Sequence, residues 1–185
     1  MRLFVAVLLM CVSCAPAVAQ QSAPPSSPPA PIAASAEGHK SAVELVEAMG
    51  ARQRMLDHVD DTVKAGKDAI ARDFPGYDPA FAEEWGRRMK ARVNVDDYVA
   101  VIVRVYETHF NNAELRELIQ AQHDTSASKP PDLSPELRQK VIAESATIES
   151  EIIGGCSQVG AKLGGDVGRE LAKEHPEWIK QTPPK

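Results

Sequence analysis

Cysteine is almost missing from the body of this chain: Cys11 and Cys14 stand near its start, and Cys156 is the third and last. Once a leader carrying the first two is removed, no internal disulfide can form, and the fold has to rest on core burial alone. Long apolar runs are equally scarce. Beyond LFVAVLLMCV after Met1-Arg2, none approaches the length that crosses a bilayer, which predicts a soluble mature chain. No segment alternates apolar and polar residues between turn signals, so no sheet is expected. The recognisable chemical motifs are absent too: HExxH, GxSxG, GxGxxG, a glycine-rich GK[ST] loop and any Cys-based pattern. Catalytic groups can converge from anywhere in a fold, so catalysis stays open, but it ranks below binding.

What is present begins with a targeting pattern. Met1-Arg2, the short apolar run and Ala17-Val18-Ala19 predict an export signal over residues 1–19, cut after Ala19, and hence a periplasmic protein. Ser13-Cys14 is the competing reading, a lipid attachment site, in which case the chain would sit on a membrane through Cys14. Cleavage removes Arg2 and no acid, taking the formal charge from −5 to −6, which disfavours nucleic acid and anionic membranes as partners. Residues 20–38 are rich in proline, serine and alanine, with Ile32 the one large apolar side chain, and predict a disordered spacer.

Residues 39–178 are expected to form one all-α bundle of five to six helices, with 179–185 as a flexible tail. Ser41 is the expected cap of a short helix that stops at Gly50. A longer helix carries Met55, Leu56, Val59, Val63 and Ile70, and Asp78-Pro79 opens a third with Phe81, Trp85 and Met89 on one face. The stretch Asn94–Ile119 organises the rest. Tyr98, Ile102, Val105, Tyr106 and His109 recur at helical spacing, while Val95, Val99 and Val103 make the opposite face apolar too, which predicts a helix near the middle of the bundle. Asn111 or Asn112 then caps a second helix buried through Leu115, Leu118 and Ile119, so the two form a tight hairpin. After a proline-containing loop, Ser134-Pro135 starts a last long helical region, which Gly154-Gly155 is expected to bend or break.

Within that region Cys156, Gly160, Gly164, Gly168 and Ala172 lie every four residues. Small side chains at this interval make a shallow groove in which another helix settles closely, within the chain or from a partner or second copy, so this is a candidate interaction surface. Trp85 with Arg87, Arg88, Lys90 and Arg92 is a candidate patch for an anionic surface, set against the ordinary preference of cations for a helix C-terminus. Asp57, His58, Asp60 and Asp61 look metal-like on paper but belong to a solvated face, and His109 reads as a packed histidine. Neither a metal nor a cofactor is expected, and no catalytic residue stands out.

Val105-Tyr106, Phe110, Glu114-Leu115 and Leu118-Ile119, and more loosely Ala42–Val46 with Met49-Gly50, resemble the core pattern of domain-of-unknown-function family 2059, small exported bacterial helical proteins. Ala121-Gln122-His123-Asp124 departs from it where the family has an aromatic pair and a serine-proline-glycine turn. The resemblance implies an exported helical domain and brings no activity. The expectation is therefore an exported, non-catalytic interaction or binding module, with an unrecognised enzyme or a carrier of a small apolar ligand as alternatives.

Overall fold

The computed structural model describes residues 35–179. The expected signal (1–19), all but the last residues of the spacer and all but the first residue of the tail lie outside the described residues. Helix α1, Ala36–Ala48, is opened by Ser35, whose hydroxyl accepts the Gly38 amide at 2.9 Å. That corrects two expectations: the helix begins within the supposed spacer, and Ser41 is no cap. Ser41 lies inside α1, buried, and donates to Asn112 Oδ1 at 2.7 Å, so the polar side chain is satisfied across the bundle. Gly50 ends the helix in the left-handed region at φ 66°, where a side chain would be strained.

Helices α2 (Ala51–Asp73) and α3 (Pro79–Arg92) follow, the latter capped by Asp78 with proline in its first turn. In α4, Val95–His109, the Asn94 side chain accepts the Asp96 amide at 3.2 Å. In α5, Asn112–Ser126, Asn111 and Glu114 form a reciprocal capping box, which satisfies orphan amides at the mouth of the hairpin. Last comes α6, Pro135–Glu174, then a 3-10 turn at Pro176–Trp178. The described residues are all-α, six helices with no strand; Tyr77 and Ile179 make a single antiparallel bridge.

Gly154-Gly155 does not break α6, which runs unbroken for 40 residues, about 60 Å at helical rise. Packing explains the difference: a Cβ built on Gly155 would come within 2.5 Å of Val101 Cγ1, so α4 presses on the helix at the point where propensity is weakest. Two groups of buried side chains result. The larger joins α1, α4, α5 and the first half of α6, through residues such as Val46, Ile102, Leu115, Leu137 and Ile148. The smaller joins α3 and the end of α6 through Phe81, Met89, Val167 and Leu171, with Val63 and Ile70 of α2 against it. One long helix thus carries both, where the sequence suggested a single core. Ile102 and Leu115 are fully buried, as a central hairpin requires, but Leu56, expected on the buried face of α2, is half exposed.

Candidate functional site

Helices α1 and α4 cross with a groove of about 410 Å³ between them. Val43 and Val46 line it from α1; Val99, Ala100 and Val103 line it from α4. The apolar floor exists because α4 is apolar nearly all round, so that beside the buried Val103 it still shows the half-buried Val99 and the exposed Ala100. Charged side chains form the rim. Arg52 pairs with Asp96 at one part, and at another His39 Nδ1 lies 2.5 Å from Glu107 Oε1. Glu47 and Arg104 also line the rim, and among the described residues neither has an ion-pair partner. Among the described residues the lining includes no hydroxyl or thiol side chain. An apolar floor inside a polar rim suits a ligand with both kinds of surface.

The candidates singled out from the sequence lie elsewhere. Trp85 is not a surface aromatic beside free cations. Its indole is wedged between two helices: a Cβ on Gly66 of α2 would fall 2.5 Å from Cη2, one on Gly164 of α6 would fall 3.1 Å from Cζ2, and Nε1 donates to the Gly164 carbonyl at 3.0 Å. The cations near it are paired. Arg87 and Arg88 both donate to Glu84, Arg88 also reaches Glu174 at 2.5 Å, and Arg92 reaches Glu170 at 2.6 Å, binding α3 to α6. Hydrogen bonds from Arg87 and Arg88 hold the Glu84 carboxyl down at about 2.

The small-residue stripe is partly occupied by the chain's own side chains. Gly164 takes Trp85, and Gly160 takes the Tyr98 hydroxyl, 3.4 Å from where its Cβ would be. Gly168 has nothing within 4 Å of that position, Ala172 is half-buried, and Cys156 is half-buried close enough for its charge to act on Tyr98. Burial is the larger influence on Tyr98 and raises its pKa. Asp57, His58, Asp60 and Asp61 are all exposed on α2, and no cluster able to hold a metal ion occurs among the described residues.

His109, read from the sequence as a packed residue, has a more specific setting. It closes α4 and is mostly buried, with Nδ1 2.8 Å from Glu144 Oε2 and Nε2 3.0 Å from Glu151 Oε2. Desolvation, the largest single influence, opposes its charge. The hydrogen bonds and charges of Glu151 and Glu144 together outweigh it and hold the pKa above the ordinary 6.5.

Sequence reasoning missed the α1 wall of the groove and the role of Gly66. A lone glycine inside a helical pattern signals a close approach, and Gly66 was such a signal. The groove had none, because nothing in the spacing of Val43 and Val46 tells which apolar side chains are left uncovered.

No family model, curated protein or solved structure matches the chain. The resemblance to family 2059 therefore rests on the quoted residues alone.

Proposed function

We propose that this chain is a non-catalytic binding module whose ligand, partly apolar and partly charged, lies in the groove between α1 and α4. The observation that carries the reading is an apolar floor, in which Val43, Val99 and Ala100 stay at least partly exposed above the buried Val46 and Val103, inside a rim of six ionisable side chains. A volume of about 410 Å³ falls within the range of small-molecule sites. The stripe of Gly160 and Gly164 supports a partner surface less well, since Tyr98 and Trp85 already lie against it.

Ala100 is exposed on a helix, so a large side chain there fills the groove without entering the core. An apolar anionic dye such as anilinonaphthalene sulfonate should bind the parent chain, and Ala100→Trp should abolish that binding at unchanged melting temperature. Equal binding by both would end the groove reading.

We place the module outside the cytoplasm, on the strength of the apolar run and Ala17-Val18-Ala19. No helix among the described residues is long and apolar enough to cross a membrane. Intact mass from the native host should give a chain starting at Gln20; an acylated start at Cys14 would make it a lipoprotein. Kinship with family 2059 belongs to the same proposal, supported by Val105, Phe110, Leu115, Leu118 and Ile119 all being buried in the α4–α5 hairpin.

A further inference from the structure

His109 is held from both sides of its ring by carboxylates of one helix, Glu144 and Glu151 of α6, while it belongs to the last turn of α4. A neutral imidazole has one N–H and one bare lone pair. In either tautomer one ring nitrogen would turn a lone pair toward a carboxylate, so both contacts are satisfied together only when both nitrogens carry protons. The arrangement is also placed where it matters mechanically. Among the described residues no other ion pair joins α4 to α6 at this end of the hairpin, since Glu107 is engaged by His39 of α1 and Lys140 of α6 is engaged by Glu114 of α5.

We propose that His109 is a proton-operated clamp between α4 and α6: as imidazolium it joins Glu144 to Glu151, and loss of its proton to solvent frees one carboxylate and loosens the end of α4. The other elements packed on α4 bring His39 from α1, and Arg52 and Arg54 from α2; Glu114 stands at the start of α5. His39, Arg52 and Glu114 are engaged with Glu107, Asp96 and Lys140, and Arg54 acts on Tyr106, so the charges acting on the His109 ring are Glu144 and Glu151. A folded-state pKa above the unfolded 6.5 gives the direction: the clamp contributes fully below about 6.5 and is lost as pH rises through the folded value.

The test is read on the full chain by nitrogen NMR of the imidazole and by amide exchange at Tyr106–Phe110. Both ring nitrogens of His109 should be protonated at about pH 6, with a midpoint above the ordinary 6.5, and Glu144→Gln or Glu151→Gln should each lower that midpoint. Raising the pH through it should speed opening of these amides, relative to His109→Gln under the same conditions, by up to about tenfold for each unit of pKa elevation. His39→Gln should leave this difference intact. A neutral His109 at about pH 6, a midpoint that ignores both glutamates, or amides that respond alike in parent and His109→Gln would overturn the clamp. Should His109→Gln fail to fold, the parent's own titration and the two glutamate variants still decide it.

Discussion

The Trp85 indole donates its N–H to the carbonyl of Gly164, 79 residues further along the chain, and in doing so ties α3 to the C-terminal half of α6. The ring's far edge lies on Gly66, so α2, α3 and α6 meet around one aromatic side chain with a glycine on either side. Leucine at Gly66 or Gly164 has no room unless the ring moves. Each substitution should destabilise the monomer by about 1–3 kcal/mol, the usual cost of overfilling a packed contact. Chemical denaturation of the two variants checks this; unchanged midpoints would show that the indole is not held there.

Neighbouring glycines on α6 should respond with opposite signs. A Cβ at Gly154 or Gly168 meets nothing within 4 Å, so alanine there should stabilise the helix by about 1 kcal/mol through backbone entropy alone. Gly155→Ala should instead lower the melting temperature, because the added methyl meets Val101 Cγ1 at 2.5 Å and a β-branched side chain has little freedom to turn aside. Melting curves of the three alanine variants suffice. A rise for Gly155→Ala would mean that the α4–α6 contact is looser than the geometry shows.

Ile102 is 1% exposed at the centre of the larger core, and Ile102→Ala should cost about 2–5 kcal/mol. Thr108, exposed on the same helix, should be within about 0.5 kcal/mol of neutral when changed to alanine. Amides around Ile102 should be among the slowest to exchange; exchange there as fast as in the loop between α5 and α6 would contradict a central α4.

Much of this fold was legible because its signals are local. Asn94, Asp78-Pro79 and the pair Asn111-Asn112 mark helix starts by their own chemistry, and the spacing of Ile102, Val105, Leu115 and Ile119 marks a buried hairpin before any contact is known. What failed depended on distant partners. Ser41 is a good cap in isolation, but the Asn112 side chain that satisfies it lies 71 residues away, and the hydroxyl that does cap α1 is that of Ser35 upstream. Gly154-Gly155 breaks an isolated helix, but not one braced by Val101. The arginines after Trp85 look like a free basic patch until Glu170 and Glu174, in the last turn of α6, are brought beside them. The groove was the least visible feature, since an uncovered apolar side chain and a covered one have the same sequence pattern.

The same arginine network predicts how the chain responds to acid. Glu84 accepts from Arg87 at 2.6 and 2.7 Å and from Arg88 at 2.8 Å, and these hydrogen bonds depress its carboxyl from 4.5 to about 2. Arg88 carries the link onward to Glu174, whose carboxyl it also lowers. A depressed carboxyl contributes stability that is present above its unfolded pKa and is lost as pH falls through the folded one. The window for Glu84 therefore runs from about 4.5 down to about 2. Glu84→Gln removes the charge while keeping the shape, so its urea midpoint should lie below the parent's near neutral pH and should fall less across that window. The two curves should converge toward pH 2, and added salt should narrow the gap at neutral pH because Arg87 is exposed and Glu84 and Arg88 are only partly covered. Parallel curves across the window would mean that Arg87 and Arg88 do not hold Glu84 in solution, which leaves the charge link between α3 and α6 to Arg88 with Glu174 and Arg92 with Glu170.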